Sequence, residues 1–317
     1  MFSIEIQPFG PKRKIIVSSS EGYGVEILPD HGAALNALFV PDVQHTHFIN
    51  VIGGYDDSEE AEKVGDSFKG VLLFPFGNRV EDGKWRWKGV DYQFDINEIA
   101  RNHALHGLVY NRSFEVVETS ATSEQAFIYL RHKSEGNDSG FPFLYQVDVE
   151  YLLQKSLGLT INTSVSNLGS ASFPFGIGWH PYFKTGNPID SLKIKLPKGL
   201  MAEVNERMIP TGKKSSYNRF EKENLIGDTF LDSGFEISQD AIGEVIMVDS
   251  AQNLRLVVGL KSDVEAFRFL QVYTPPHRQS IAIEPITHGV NSLANPQDEM
   301  VVLEAGEHRS FGFFIGY

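Results

Sequence analysis

The chain has 317 residues, of which 41% are hydrophobic and 22% are charged, a composition typical of a globular protein that buries a substantial core. Its net charge of -13 argues against a nucleic-acid partner, because phosphate binding requires clustered Lys and Arg. The absence of cysteine excludes a disulfide framework, a thiol nucleophile and a thiolate metal site. No apolar run is long enough to span a bilayer and no signal peptide is evident, so we expect a soluble, cytoplasmic protein without a membrane partner.

Several short segments alternate hydrophobic and polar residues. The alternation is clearest over residues 90–96, 145–151, 157–161, 192–196 and 254–256. A period of two predicts half-buried strands, and turn sequences such as Glu81-Asp82-Gly83 lie between them. Helices are predicted only over Asp57 to Val64 and, more weakly, near Ser215 to Glu223. We therefore predict a single all-β domain over residues 1–317, in which antiparallel sheets stack as a large β-sandwich.

Two segments in the first third of the chain carry candidate binding residues. Arg79 follows Asn78 at the end of an apolar strand, where a loop can direct its five guanidinium donors into a cleft. The alternative interpretation is a surface arginine. His106 precedes Gly107 and lies three residues after His103. A metal bound by these two histidines is disfavoured, because no carboxylate or third histidine stands at fitting spacing.

His180 and Glu284 are the candidates for acid–base chemistry. His180 follows two glycines, precedes Pro181 and has aromatic neighbours, a setting that shifts the pKa of an imidazole. A core histidine beside a turn is the alternative. Glu284 ends an apolar strand, where a carboxylate either finds a donor or has its pKa raised. A structural glutamate paired with an arginine is equally compatible with that stretch. Two further acids, Asp228 and Asp232, lie in one predicted loop.

Together and in this order, the segments resemble the aldose 1-epimerase (galactose mutarotase) family. The matching stretches are Gly77-Asn78-Arg79-Val80 with Asp82-Gly83, Leu105-His106-Gly107, His180-Pro181-Tyr182-Phe183, and Glu284-Pro285 with Thr287 and Asn291. The resemblance implies an antiparallel β-supersandwich with an open carbohydrate cleft. It also implies an isomerase that interconverts the α and β anomers of a free aldohexose, such as glucose or galactose, without a cofactor or metal. His288-Gly289-Val290 departs from the commoner family pattern.

The resemblance also implies residue roles. Glu284 matches the general base that takes the proton from the C1 hydroxyl, and His180 matches the general acid that protonates the ring oxygen. The residues implied to bind the sugar are Arg79, His106, Asp228, Tyr182 and Asn78. Asp232 competes with Asp228 for the role of the binding aspartate. Trp179 or Trp87 are further candidates for stacking on the sugar. We expect the carboxylate of Glu284 and the imidazole of His180 to face each other across a gap that holds a monosaccharide.

Two alternatives to this function follow from the same fold. A hexose-6-phosphate 1-epimerase would require a cluster of Arg or Lys around the phosphate, and the sequence does not reveal one. A non-catalytic carbohydrate-binding protein would keep the sandwich without the reaction, since fold alone does not imply activity. The retention of a candidate base and a candidate acid favours the enzyme. The expected partner is a small sugar, and the expected assembly is a monomer or a homodimer.

Overall fold

The computed structural model describes residues 1–63, 68–238, 243–261, 264–294 and 296–317. Two large antiparallel sheets form the body of the molecule. The nine-stranded sheet has the order β11 (Glu115–Ala121), β12 (Gln125–Lys133), β13 (Tyr145–Gln154), β14 (Gly158–Asn167), β28 (His308–Gly316), β24 (Leu254–Gly259), β23 (Glu244–Asp249), β18 (Lys193–Lys195) and β21 (Asn224–Leu225). The eight-stranded sheet has the order β20 (Pro210–Ser216), β19 (Gly199–Val204), β22 (Asp232–Ile237), β25 (Phe269–Tyr273), β26 (Ile281–Ile286), β16 (Gly178–Trp179) and β6 (Leu72–Leu73), and β17 (Tyr182–Phe183) also pairs with β26.

Smaller elements surround these sheets. A five-stranded sheet contains β1 (Phe2–Phe9), β2 (Lys12–Ser19), β3 (Gly24–Leu28), β4 (Ala34–Pro41) and β5 (Phe48–Asn50). The two-stranded pairs are β7 (Arg79–Glu81) with β10 (His103–Leu105), β8 (Lys84–Trp87) with β9 (Val90–Gln93), and β15 (Phe173–Phe175) with β27 (Val301–Leu303). The helical elements are α1 (Ser58–Lys63), α2 (Pro296–Glu299) and two 3-10 turns (Ile189–Ser191 and Ser292–Ala294). Among the described residues, no helix is long and apolar enough to cross a bilayer.

The two large sheets pack face to face, which confirms the predicted all-β sandwich. Side chains along β13 alternate between buried and half-buried, as the period of two requires when one face of a strand meets a core. Trp179 projects from the eight-stranded sheet into this core. Its ring centroid lies 5.9 Å from that of Tyr151 and 6.1 Å from that of Phe313, both in the nine-stranded sheet. Trp179 is therefore a core residue and not the sugar-stacking residue that the sequence suggested.

One helix prediction is correct and one is wrong. The helix expected from Asp57 forms as α1, and the Asp57 carboxylate caps it by accepting the N–H of Glu60 at 2.8 Å; residue 64 lies outside the described residues. No helix forms near 215–223 in the part of the chain that the structure describes. Ser215 and Ser216 instead end β20, paired with Met201 and Leu200 of β19. Pairing along a sheet edge has overridden the weak local signal for a helix.

Candidate active site

Glu284 lies within β26, not at the end of a strand as predicted. Its neighbours Ile281 and Ile283 belong to the sandwich core, so the alternation of a strand places Glu284 on the opposite, outer face of the eight-stranded sheet. The register puts Glu284 beside Gln271 of β25, and Gln271 beside Gly234 of β22. A cross-strand row of these three positions thus forms on the outer face.

His180 continues this row on the other side of Glu284. Trp179 points into the core, so His180 points outward, and its backbone is anchored by hydrogen bonds to Val71 (3.2 Å) and Gly70 (2.9 Å). The imidazole Nε2 lies 3.4 Å from Glu284 Oε1. The two groups are therefore neighbours on one wall, and the expectation that they face each other across a gap is wrong. The reason is that β26 pairs directly with both β16 and β17, the strands that flank His180.

Two buried polar atoms of this pair have no hydrogen-bond partner in the described part of the protein, namely Nδ1 of His180 and Oε2 of Glu284. Buried polar atoms are normally satisfied, so their state calls for a ligand. Burial, reinforced by the charge of Asp232 and opposed by Arg79, raises the pKa of Glu284 well above its usual value. Burial lowers the pKa of His180 to about 4. The surroundings therefore favour an uncharged pair that shares one proton.

His106 is held by Asn78 through two reciprocal hydrogen bonds. The N–H of Asn78 donates to His106 Nδ1 at 3.1 Å, and the N–H of His106 donates to the carbonyl of Asn78 at 3.0 Å. Because Nδ1 is an acceptor, the neutral ring carries its proton on Nε2. Burial, with the charges of His180 and Arg79, lowers the pKa of His106 well below its usual value. Its ring is thus a neutral donor fixed beside His180, 5.1 Å away between ring centroids.

Gly107 permits this arrangement. Its φ of 75° lies in the left-handed region, and a Cβ there would stand 2.2 Å from the carbonyl oxygen of Phe74. Only glycine tolerates both conditions. A glycine directly after His106 is therefore a structural requirement.

Arg79 is largely buried, which excludes the interpretation as a surface arginine. Its side chain is 11% exposed and forms a bidentate ion pair with Glu98 through hydrogen bonds of 2.8 and 2.9 Å. Arg101 also binds Glu98, at 2.9 Å. Although burial opposes it, the hydrogen bonds and charges of the two arginines hold the pKa of Glu98 below its usual value. Glu98 therefore fixes the guanidinium of Arg79 and offsets part of its charge.

These side chains line one cavity of about 340 Å³. The cavity is lined by Phe68, Asn78, Arg79, Arg101, Leu105, His106, His180, Tyr182, Phe230, Asp232, Gln271, Tyr273, Pro276 and Glu284. Asp232, at the start of β22, accepts a hydrogen bond from Gln271 Nε2 at 2.8 Å. Asp228 is exposed in the preceding loop and is not a lining residue. The choice of Asp228 is therefore corrected to Asp232, because the register of β22, rather than the loop, brings an acid to the cleft.

Tyr182 also lines the cavity, together with residues that were not predicted, such as Phe68 and Gln271. The ring of Tyr182 stacks on that of His180, with centroids 4.9 Å apart, and the ring of Phe68 lies 4.5 Å from that of His106. Gln271 was missed, although the alternation over residues 269–273 would have shown a polar residue between buried Leu270 and Val272. No comparable sequence signal marked Phe68.

The two histidines considered as metal ligands, His103 and His106, form hydrogen bonds within the protein instead. His103 lies in β10, its Nδ1 accepts the N–H of Asp82 at 3.3 Å, and its Nε2 contacts the carbonyl oxygen of Arg207 at 3.0 Å. Within the described ranges, no group of three or more His, Cys, Asp or Glu residues is arranged to hold a metal ion.

A carboxylate–imidazole pair beneath a polar cleft, on the outer face of an antiparallel sandwich, defines a site for acid–base chemistry on a small polar ligand. Comparison with known proteins identifies the family. Residues 13–314 match the family model for aldose 1-epimerase. The chain is 30% identical over 249 residues to the uncharacterized protein YihR of Escherichia coli strain K12, covering 76% of this chain and 77% of that protein. The chain therefore belongs to the aldose 1-epimerase family.

Solved structures share the fold. A galactose mutarotase-like protein from Clostridium acetobutylicum superposes with a TM-score of 0.86 at 21% identity, covering 99% of this chain and 97% of that one. A galactose 1-epimerase from Lactobacillus acidophilus superposes with a TM-score of 0.79 at 16% identity, covering 100% and 99%. At these identities the comparison establishes a galactose mutarotase-like fold, as the resemblance in sequence implied.

Proposed function

We propose that the protein is an aldose 1-epimerase that interconverts the α and β anomers of a free aldohexose by opening and reclosing the ring. The observation that carries this proposal is the contact of 3.4 Å between His180 Nε2 and Glu284 Oε1 in the wall of the cavity, where Nδ1 and Oε2 of the same groups are buried without a protein partner. The two oxygens that exchange protons, O1 and O5, are both bonded to C1. A base and an acid placed side by side can therefore reach both.

Ring opening requires one proton to leave O1 and another to reach O5. In the proposed step Glu284 takes the O1 proton, His180 donates a proton to O5, the C1–O5 bond breaks and the C1–O1 double bond forms. Rotation about the C1–C2 bond then presents the other face of the aldehyde. Closure reverses both transfers, with Glu284 as the acid and His180 as the base. Protons and electrons balance over the cycle, and the enzyme returns to its starting state.

The charge states of the pair suit this cycle. Before opening, the reactive form is a Glu284 carboxylate beside a His180 imidazolium, and after opening it is a carboxylic acid beside a neutral imidazole. Burial raises the pKa of Glu284 and lowers that of His180, so the surroundings favour the uncharged pair that accompanies the open-chain sugar. The charged pair that begins ring opening is therefore the less favoured form of the site, and its conversion to the uncharged pair is favourable.

The other cleft residues supply sugar binding in this proposal. The Nε2–H of His106 and the guanidinium of Arg79 are fixed donors, Asp232 is a fixed acceptor, and Tyr182 offers an aromatic face for the sugar ring. A hexose-6-phosphate is disfavoured, because Arg79 and Arg101 already share Glu98. The presence of a base and an acid in contact with each other, at 3.4 Å, favours an enzyme over a protein that only binds sugar. A cytoplasmic location and a monomeric or dimeric state stay predictions.

Polarimetry on freshly dissolved α-glucose and α-galactose tests the proposal. We expect the wild-type protein to accelerate the optical change above the spontaneous rate. Glu284→Gln and His180→Asn should lower the rate by about 10²- to 10⁴-fold, the usual contribution of a positioned acid or base, with unchanged circular dichroism. Full activity in either variant contradicts the assigned role, and glucose 6-phosphate serves as the competing substrate in the same assay.

A further inference from the structure

A second cavity adjoins the cleft on the same face of the eight-stranded sheet. It has a volume of about 260 Å³ and is lined mainly by apolar residues, among them Leu200, Phe269, Ile286 and Val290. Asn78 and Gln271 line both this cavity and the cleft, so the two spaces meet at these side chains. We call the second space the side cavity and the two amides its neck.

Gly234 forms the floor at the neck. It pairs with Gln271 in the sheet, and a Cβ at this position would stand 3.1 Å from Gln271 Oε1 and 3.9 Å from Val290 Cγ2. Its φ lies outside the left-handed region, so the backbone does not require glycine here. The absence of a side chain keeps the passage between cleft and side cavity open.

The neck offers one free hydrogen-bond acceptor and one free donor. Gln271 uses Nε2 to hold Asp232 at 2.8 Å, and its Oε1 has no partner in the described part of the chain. Asn78 uses Oδ1 to accept from Arg79, at 3.0 Å from the backbone N–H and 3.2 Å from Nη1, which leaves its Nδ2 without a partner among the described residues. An acceptor beside a donor at the entrance to an apolar space complements a secondary amide that carries an alkyl group.

The proposed mechanism fixes which carbon of the sugar faces the neck. C1 is bonded to O1, O5, C2 and one hydrogen, and O5 and C2 are its two neighbours within the ring. With O1 at Glu284 and O5 at His180, C2 points away from His180, along the cross-strand row that continues from Glu284 to Gln271 and then to Gly234. A substituent on C2 is therefore directed at the neck.

On the basis of the proposed function, we infer that the preferred substrates are 2-acylamino-2-deoxy aldoses, whose amide binds at the neck and whose acyl chain enters the side cavity. The amide N–H donates to Gln271 Oε1 and the amide carbonyl accepts from Asn78 Nδ2. The charged lining residues of the side cavity do not oppose a neutral acyl chain, because Lys214 and Glu236 pair with each other at 2.6 Å and the carboxylate of Glu299 accepts the N–H of Gly289 at 3.1 Å.

Polarimetry with α-glucose, N-acetyl-α-glucosamine and its N-propanoyl and N-butanoyl analogues tests this inference. We expect kcat/KM to be higher for the N-acetyl sugar than for glucose and to rise about threefold to fourfold with each added methylene, as burial of a CH₂ in an apolar space predicts. Turnover of glucose together with no turnover of the N-acyl sugars would overturn the inference and leave the epimerase proposal standing. No turnover of any sugar would overturn the epimerase proposal itself.

Two variants address the side cavity directly. Ala202 lines it, so Ala202→Phe should fill the cavity and lower the ratio of kcat/KM for the N-acetyl sugar to that for glucose at least tenfold. Gly234→Ala should lower the same ratio by crowding Gln271 Oε1 at the neck. Ala121→Phe is the matched control, because Ala121 is exposed on β11, and it should keep the wild-type ratio. Equal losses on both sugars in Ala202→Phe would contradict the inference.

Discussion

Two buried histidines, His180 in the cleft wall and His288 just beyond β26, are alike in burial and different in bonding. They are 5% and 2% exposed, and burial lowers the pKa of each to about 4. His288 accepts the N–H of Gly77 on Nε2 at 3.0 Å and donates Nδ1–H to the carbonyl of Gly289 at 2.7 Å. His180 has no partner for Nδ1. Hydrogen-bond satisfaction, rather than burial or a shifted pKa, therefore separates the structural residue from the one available to a ligand.

The local packing supports this distinction. The ring of His288 lies so close to Gly176 that a Cβ there would stand 1.9 Å from its Cδ2. The ring thus contacts the segment at Gly176 and the segment at Gly77, which also carries Asn78 and Arg79. The stretch that departs from the commoner family pattern, His288-Gly289-Val290, therefore contains a histidine with a structural role in this chain.

The largest expected effect comes from substituting either member of the Glu284–His180 pair. Glu284→Gln and His180→Asn should each lower kcat about 10²- to 10⁴-fold. The double variant should be scarcely slower than either single variant, because the two groups act as one proton-exchanging unit. Polarimetric progress curves measure the rates. Multiplicative losses in the double variant would show that the two residues act independently.

His288→Leu should act on stability instead. The change leaves the N–H of Gly77 without its partner, at about 1–3 kcal/mol for a buried group, whereas the carbonyl of Gly289 keeps the hydroxyl of Ser292 at 2.8 Å. We therefore expect a loss of about 1–3 kcal/mol in the free energy of unfolding. Urea titration measures it. His180→Asn is the matched control and should lose less than His288→Leu, since Nδ1 of His180 has no protein partner and its Nε2 contact with Glu284 is long, at 3.4 Å. A reversal of this order would break the comparison between the two histidines.

The sequence predicted the sandwich because alternation is a local property that survives without tertiary information. Residues 145–151 lie in β13 and residues 158–161 in β14 as expected, whereas Leu157 belongs to the turn before β14. Local sequence features singled out Glu284, His180, Arg79 and His106, to which the resemblance assigned roles, and all four line one cavity. Strand register is not local, and the errors follow from this. Sequence alone could not decide that Asp232 rather than Asp228 reaches the cleft.

The remaining gaps have the same cause. Gln271 enters the site only because β25 pairs with β26 so that Gln271 stands beside Glu284. The close contact of Glu284 with His180 likewise depends on the pairing of β26 with β16 and β17, which lie much earlier in the chain. The prediction of a helix near 215–223 was wrong because its first residues, Ser215 and Ser216, pair with β19 in the edge strand β20.

The two aspartates give a smaller contrast, between half-buried Asp232 and exposed Asp228. Asp232→Asn should raise KM about 10- to 100-fold through the loss of a charged acceptor in the cleft, with a lesser effect on kcat. Asp228→Asn should change neither constant by more than about twofold, since surface substitutions are usually near neutral. Initial rates over a range of sugar concentrations measure both. An equal response of the two variants would remove Asp232 from the proposed site.

The smallest effect is expected from moderate acid, which tests the lowered pKa of His180 through activity. Because the pKa of His180 is lowered from 6.5 to about 4, a second proton joins the Glu284–His180 pair only near the lower value. Activity should therefore stay within about twofold between pH 7 and pH 5.5 and fall toward pH 4, whereas a histidine with its usual pKa would halve the rate near pH 6.5.

The lowered pKa of His288 should be visible in the free energy of unfolding instead. Its folded-state pKa is below the unfolded value, so its contribution to folding is fully present above about pH 6.5 and is lost as the pH falls toward about 4. Urea titrations at several pH values measure this loss, and His288→Asn, which cannot titrate, should show a shallower dependence than the wild type. An identical dependence in both proteins would mean that His288 does not titrate differently in the folded and unfolded states, because the titration of any group present in both proteins cancels in this comparison.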